Sequence, residues 1–356
     1  MTIRYLGLGG SDANSGLTWA LRKLTLNGVE DTPVVAGDTV YVGPGTYREL
    51  LTVDVSGTAG NPISYIGDYG GTFTDGIGGI VRITGSNDDQ SETRTSCITA
   101  SVMNYRTFTG FVFDTTNGSL INTTGGCGNW TVSSCLFVGG NGHGIIVGGT
   151  ASAWAIENCM FQSMVPTSYG VIFTNTSTVD NAAHVVSNCA FTPGFGRGVG
   201  SVRVGGVTVK NCTLIGGAFH ILVVTALTAG QTITVNNCIL CYSNVALQGT
   251  ATTEIIEDFN TFYRNATNRT NTNTGANSVT YPALFDPRWL FDLVGGQGRM
   301  LSPFDLASFS QLVNLAGTSP TTTDLRGTAV IGAEREWGAL EYDPALLFRR
   351  VIARQV

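Results

Sequence analysis

A short pattern built around cysteine recurs five times along this chain, and it restricts the possible folds more than any other feature. Each copy places a Val or Ile three positions before the cysteine and a Phe or Leu two positions after it. Successive cysteines are 24, 30, 23 and 26 residues apart. Recurrence at such a period predicts a fold made of stacked repeats. The five residues are Cys135, Cys159, Cys189, Cys212 and Cys238.

Apolar and polar residues alternate inside each copy, as between Trp154 and Phe161, and a period of two is typical of β-strands. Clusters of Gly, Asn, Ser and Thr lie between the alternating segments and indicate turns. Because no copy contains a helical pattern, a strand–helix–strand crossover is not available to it. The sequence therefore predicts an all-β solenoid in which each coil pairs with the next, about 4.8 Å away.

Equivalent side chains of successive coils stack in a solenoid, so the five cysteines are predicted to form one inward ladder. A second ladder is predicted for Phe137, Phe161 and Phe191. Metal binding is the alternative for the cysteines, but it requires paired Cys-x-x-Cys motifs. Cys238 and Cys241 form one such motif, and the sequence contains no second pair. Since a thiol also packs as a small apolar group, we predict a structural core ladder, with no bound metal or other cofactor.

Six segments of the sequence carry a resemblance to a known family. They are Gly10 to Gly16, Ala36 to Glu49, Ser56 to Tyr65, Glu257 to Tyr263, Asp324 to Gly327 and Trp337 to Tyr342. These segments resemble right-handed parallel β-helix proteins of the pectin-lyase-like superfamily. The resemblance implies a right-handed parallel β-helix of about 9–10 coils and covers most of residues 1–343. It implies no single function, since the superfamily includes polysaccharide lyases, hydrolases, phage tailspikes and non-enzymatic surface proteins.

The repeat divides the chain into four parts. Residues 1–32 are predicted to be an N-terminal cap, with a short helix from Trp19 to Leu26. Residues 33–265 form the parallel β-helix, and residues 266–343, where the repeat is lost, form an irregular closing region. Residues 344–356 form an amphipathic tail, which is predicted to dock on the body or on a partner chain through one helical face. That face consists of Leu347, Phe348, Val351 and Ile352.

Charged side chains are scarce where an enzyme of this fold would need them. They make up 12% of the chain, about half the usual share. Glycoside hydrolysis needs two carboxylates, and elimination from a uronate needs a base and commonly Ca²⁺. No two acids lie close together between Thr115 and Thr253, so we predict no catalytic residues. The charged residues of this stretch are Glu157, Asp180, Arg197, Arg203 and Lys210.

Three local features have both a functional and a structural interpretation. Gly142-His143-Gly144 resembles the Gly-His-Gly of polygalacturonase-type hydrolases, but the remaining motifs of that family are absent, so we interpret His143 as a turn residue. Asp88, Asp89 and Glu92 are candidate Ca²⁺ ligands, but we favour a polar turn as the explanation of this cluster. The segment Gly194 to Gly200 looks like a phosphate loop, but it lacks the Gly-x-Gly-x-x-Gly spacing and a following helix. We therefore interpret it as a flexible loop in which Arg197 is free for a protein contact.

Three aromatic residues, Trp154, Tyr169 and Tyr242, are candidates for stacking on sugars, although packing within the coils is the commoner fate of such residues. Clustered acids or bases on the outward face of the coils would favour a carbohydrate-active β-helix, that is, a polysaccharide lyase, a hydrolase or a glycan-binding tailspike. A flat and neutral outward face would favour a structural protein.

From the scarcity of charge we predict a non-enzymatic structural protein of a virus particle, such as a bacteriophage capsid decoration or cement protein, and keep the carbohydrate-active β-helix as the alternative. The expected partners are other virion proteins of the capsid or tail and further copies of the chain, as in a trimer. The net charge of -6 argues against nucleic acid. No apolar run reaches the ~18 residues of a membrane span. No signal peptide is evident, which predicts synthesis in the host cytoplasm and a place in the virion.

Overall fold

The strands of this protein stack side by side in three parallel sheets. The computed structural model describes residues 1–32, 34–162, 165–175, 181–192 and 196–280. In that part of the chain 28 strands alternate with turns, and a short 3-10 helix at Trp19–Leu21 and an α-helix, α1, at Leu26–Glu30 lie near the N-terminus. We number the strands β1 to β28 in chain order and call the sheets A, B and C.

Each sheet is a row of parallel strands taken from successive coils. Sheet A consists of β1 (Ile3–Leu6), β2 (Thr39–Val42), β5 (Ile63–Gly67), β8 (Arg106–Thr109), β11 (Thr131–Ser133), β14 (Ala155–Glu157), β17 (Asn181–Ser187), β20 (Gly205–Lys210), β23 (Ile233–Asn236) and β26 (Ile255–Asp258). Sheet B consists of β3 (Gly45–Tyr47), β6 (Val81–Thr84), β9 (Val112–Asp114), β12 (Leu136–Val138), β15 (Met160–Gln162), β18 (Ala190–Phe191), β21 (Thr213–Ile215), β24 (Ile239–Cys241) and β27 (Thr261–Tyr263). Sheet C consists of β4 (Leu51–Val53), β7 (Ile98–Ser101), β10 (Ile121–Thr124), β13 (Ile145–Gly148), β16 (Tyr169–Thr174), β19 (Arg197–Val202), β22 (Phe219–Thr225), β25 (Val245–Gln248) and β28 (Thr267–Thr270).

From β2 onward the chain visits sheets A, B and C in that order on every turn. Sheets B and C contain nine strands each in the described part of the chain, so about nine coils stack along one axis. This confirms the predicted right-handed parallel β-helix, a nearly all-β fold. Three sheets that face one another enclose a single apolar core, and every outward side chain belongs to a row that runs along the axis.

The corner between sheets A and B explains the Asn that precedes the cysteine in four of the repeats. Asn158, Asn188, Asn211 and Asn237 have φ values of 53°, 53°, 53° and 56°. Asn adopts this left-handed conformation more readily than other residues with a side chain. The conformation turns the backbone sharply, so that the following cysteine lies inside the coil.

All five repeat cysteines are buried free thiols and form no disulfide bonds. The aromatic rings beside them stack between coils. Ring centres are 4.7 Å apart from Phe137 to Phe161 and again from Phe161 to Phe191, with interplanar angles of 9° and 8°. Trp130 and Trp154 form a similar pair at 5.0 Å. The repeating side chains thus line the core as continuous columns.

Phe161 lies in the middle of the phenylalanine column and is fully buried, so its replacement by Ala is expected to lower the free energy of unfolding by about 3–5 kcal/mol. Denaturant unfolding of the two proteins measures this difference. Ile256→Ala is the control, because Ile256 is 55% exposed and its loss should cost about 0.5 kcal/mol or less. Equal losses in the two variants would contradict the packing described for the column.

The N-terminal helix differs in position from the prediction. The structure has the 3-10 helix at Trp19–Leu21 and begins α1 only at Leu26. Thr25 determines this start, because its side chain accepts a hydrogen bond from the Gly28 N–H at 2.9 Å and so caps the first turn. The last residue of α1, Glu30, reaches the core, where its carboxylate accepts hydrogen bonds from Tyr65 and Arg106. The cap is therefore fixed by a buried ion pair.

Candidate functional site

A row of ionisable side chains lies at one edge of the solenoid, in the loops that lead from each strand of sheet B to the next strand of sheet C. We call this edge the B–C corner. Because the coils are stacked, loops that are far apart in sequence are neighbours here. Its N-terminal part contains Arg48 and the loop from Ser86 to Cys97, and its C-terminal part extends to Ala266.

Arginines and aspartates form a continuous network at the N-terminal part of the corner. Asp89 accepts hydrogen bonds from Arg48 at 2.5 Å and from Arg82 at 2.7 Å. Arg82 also pairs with Asp114 at 2.5 Å. The two guanidinium groups hold the pKa of Asp89 below its usual value. Each charge in this network already has an opposite charge beside it, so the network fixes the loop between β6 and β7 to its sheet.

The candidate Ca²⁺ ligands are engaged in other contacts. Asp88 accepts hydrogen bonds from the backbone N–H groups of Ser91 at 2.7 Å and of Gln90 at 3.0 Å, which lower the pKa of Asp88 well below its usual value. Glu92 accepts from the side-chain amide of Asn141 at 2.9 Å. Across the described ranges, no three His, Cys, Asp or Glu side chains converge in a way that would hold a metal ion.

His143, Tyr169 and Arg197 lie on three successive coils of the same corner, and we call them the trio. Tyr169 and Arg197 are direct neighbours in sheet C, and the guanidinium carbon lies 5.0 Å from the centre of the tyrosine ring. The His143 ring meets the Tyr169 ring edge to face at 5.3 Å. The Tyr169 N–H also donates a hydrogen bond to Nδ1 of His143 at 3.1 Å. The sequence suggested these residues separately, and the fold brings them together.

The electrostatics of the trio set its protonation states. Burial lowers the pKa of His143, and the charge of Arg197 lowers it further, so the imidazole is neutral. Since Nδ1 accepts a hydrogen bond, the ring proton is on Nε2. Burial raises the pKa of Tyr169, whereas Arg197 opposes that rise. Arg197 Nε is buried and has no hydrogen-bond partner among the residues that the structure describes.

A second group of outward side chains lies further along the corner. The rings of Tyr242 and Tyr263 meet edge to face at 5.8 Å, and the guanidinium of Arg264 lies 5.2 Å from the Tyr263 ring and 6.0 Å from the Tyr242 ring. We call these three residues the aromatic–arginine cluster. Only Tyr242 was a candidate from the sequence. Arg264 follows it by 22 residues, about one coil, and that spacing was the signal for their contact.

The structure places the other sequence candidates away from the corner surface. Trp154 is buried, and its indole N–H donates to the carbonyl of Cys127 at 2.6 Å, so it does not present a face to sugars. Cys238 and Cys241 are both buried in the core. The segment Gly194 to Gly200 is described only from Gly196 onward, and the tail face of Leu347, Phe348, Val351 and Ile352 lies outside the described residues. No helix of the described residues is long and apolar enough to span a membrane.

Solved structures similar to this chain are carbohydrate-active enzymes. A rhamnogalacturonan lyase matches with a TM-score of 0.57 and 20% identity, covering 74% of this chain and 74% of that protein. The pectate lyase Pel9A matches with a TM-score of 0.55 and 14% identity, covering 96% of this chain and 97% of that protein. No protein-family model and no curated sequence matches the chain.

These matches correct the prediction of a non-enzymatic virion protein. Two proteins that share the fold over most of the chain are lyases, and nothing in the comparisons points to a virus particle. The prediction rested on the scarcity of paired acids along the sequence. That criterion does not detect side chains that the corner brings together from separate coils, as it does His143, Tyr169 and Arg197. The expected partners and the homo-oligomer stay predictions. At these identities the comparisons show a shared fold, the parallel β-helix.

Proposed function

We propose that this protein is a polysaccharide lyase that cleaves an anionic, uronate-containing polysaccharide at the trio. The observation that carries the proposal is the contact of His143, Tyr169 and Arg197 on neighbouring coils. The Tyr169 side chain is largely covered in this contact, with 5% of the residue exposed. It is supported by the parallel β-helix fold that the chain shares with two lyases. A tyrosine and an arginine side by side supply a proton-exchanging hydroxyl and a fixed positive charge.

Elimination fits this corner better than hydrolysis does. Hydrolysis by the usual route needs two carboxylates on either side of the scissile bond. In the described loops of the corner between Gly139 and Ala266, no Asp or Glu is present. The acids of this part of the chain lie elsewhere, since Glu157 and Glu257 belong to strands of sheet A. Elimination needs instead a proton acceptor and a charge that stabilises the carbanion beside the uronate carboxylate.

Each member of the trio has a distinct task in the proposed reaction. In the elimination, the proton on the carbon next to the carboxylate is removed, the bond to the glycosidic oxygen breaks, and that oxygen receives a proton. Arg197 binds the carboxylate and stabilises its developing charge. Its positive charge also favours the phenolate of Tyr169, which accepts the proton and returns it to the leaving oxygen. His143 is a positioning residue, because its Nδ1 fixes the backbone of Tyr169.

The test is to incubate the full chain with polygalacturonate, alginate and rhamnogalacturonan, with and without added Ca²⁺, and to follow the ultraviolet absorbance of unsaturated uronate. We expect absorbance to appear with at least one of these polymers and not with neutral dextran. Arg203→Ala is the matched control, because Arg203 is exposed and follows sheet C at the opposite end of β19. Absence of unsaturated product from all three polymers would overturn the proposal.

A further inference from the structure

We propose that the aromatic–arginine cluster of Tyr242, Tyr263 and Arg264 is a second binding site for the same polysaccharide chain, which lies along the B–C corner and spans from the trio to the cluster. This inference rests on the proposed function for the identity of the polymer. It rests on separate observations for the site itself.

The cluster has the chemistry that binds an anionic sugar. An aromatic face carries partial negative charge and packs against the C–H groups of a sugar ring. Tyr242 is 44% exposed and Arg264 is also exposed. Arg264 forms no ion pair among the described residues, so its guanidinium is available for a carboxylate, which arginine binds through paired N–H groups.

The backbone under the cluster is held in an unfavourable conformation. Tyr242 has a φ of 62° and Arg264 a φ of 52°. Bulky residues rarely adopt this left-handed region, and where they do the conformation is commonly associated with a functional site. Glycine or asparagine would fit these two turns with less strain. The chain instead places a tyrosine and an arginine there on adjacent coils, and both project from the corner.

The surface between the trio and the cluster is formed by residues with small side chains and carries no negative charge. One coil separates Arg197 from Tyr242, and its corner loop is Gly216, Gly217 and Ala218, which have almost no side chains. Arg197 and Tyr242 are therefore about 10 Å apart along the axis, since neighbouring strands are ~4.8 Å apart. In the described loops of the corner from Gly139 to Ala266 the charged groups are Arg197 and Arg264 alone, both positive. An unobstructed, positively charged surface suits an extended polyanion. The positive charge is local, since the net charge of the whole chain is -6.

The test measures binding apart from catalysis. A Tyr169→Phe background, which should not consume the polymer, is run by native electrophoresis through gels that contain polygalacturonate, alginate or neutral dextran. We expect retardation by at least one polyuronate and not by dextran, at low salt more than at high salt. Arg264→Ala and Tyr242→Ala should each weaken the apparent affinity about tenfold.

Two matched controls separate a binding effect from a structural one. Arg203 is an exposed arginine with a φ of 62°, outside the corner, and Tyr69 is 58% exposed outside it. Arg203→Ala and Tyr69→Ala should leave retardation unchanged. Unchanged binding in both cluster variants, equal retardation by dextran, or no retardation by either polyuronate would overturn the inference. If the cluster variants bind more weakly but the wild-type chain releases no unsaturated product, the binding site stands and the proposed catalysis fails.

Discussion

Tyr169→Phe is expected to lower the rate of uronate elimination by about 10²–10⁴-fold, the range in which a positioned acid or base contributes. The substitution removes one oxygen and keeps the ring, so the contacts of that ring with His143 and Arg197 remain. Because the proposed binding contacts are the cluster and Arg197, the loss should appear in kcat more than in KM. Steady-state kinetics on the polymer that gives unsaturated product measures both constants.

The pH dependence of the same reaction tests the electrostatic task of Arg197. Arg197 opposes the rise that burial causes in the pKa of Tyr169. Removing the positive charge in Arg197→Gln therefore raises this pKa further and moves the limb of the rate profile that follows phenolate formation to higher pH. Arg197→Lys keeps the charge and should restore part of the shift. If Tyr169→Phe retains wild-type kcat, or if Arg197→Gln leaves the profile in place, the assignment of these residues is wrong.

Arg106→Met is expected to lower the free energy of unfolding by about 3–5 kcal/mol at neutral pH, because it leaves Glu30 buried without its counter-charge. Both side chains are almost completely inaccessible, and Arg106 also donates a hydrogen bond to the carbonyl of Val55 at 2.8 Å. The loss should be largest at the N-terminal end, where α1 is anchored by this pair. Denaturant unfolding at pH 7 measures it.

The loss of stability in Arg106→Met is also expected to depend on pH, and the pKa of Glu30 fixes the direction of that dependence. Burial raises the pKa of Glu30, while Arg106 and Tyr65 oppose the rise. A group whose folded pKa is raised stabilises the fold below its unfolded pKa, about 4.3 for Glu, and this contribution is lost as the pH rises through the folded value. The deficit of Arg106→Met should therefore shrink near pH 4. Glu30→Gln combined with Arg106→Met should remove that pH dependence. A deficit that is independent of pH in the single variant would contradict the buried pair.

The fold was accessible from the sequence because the repeat encodes it locally. The step of about one coil between equivalent cysteines, and the Asn that adopts a left-handed turn before them, specify where each coil bends. The position of α1 could not be predicted from the sequence. The apolar pattern from Trp19 to Leu26 did not indicate that Thr25 caps a helix that starts one residue later, at Leu26. The ion pair of Glu30 with Arg106 was also not accessible, because it joins residues on different elements 76 positions apart.

The candidate site could be predicted only in part. His143, Tyr169 and Arg197 each carry a sequence signal of a different kind, and their spacings of 26 and 28 residues are each about one coil. A parallel stack converts such spacings into direct contact, which a search for adjacent acids does not detect. Tyr263 belonged only to the segment Glu257 to Tyr263, which indicated the fold and no site, and Arg264 belonged to no motif. Their importance depends on how far they project from the corner, which follows from backbone conformation.

The buried thiols also provide a way to observe how this solenoid opens in its native state. Burial raises the pKa of Cys97 and of Cys241, so in the closed coil neither is a thiolate that can react. Reaction with an alkylating reagent then requires local opening, and its rate reports the free energy of that opening. Because the eight cysteines are distributed along the axis from Cys97 to Cys241, mass-resolved labelling would show whether the coils fray from one end or open together as one cooperative unit.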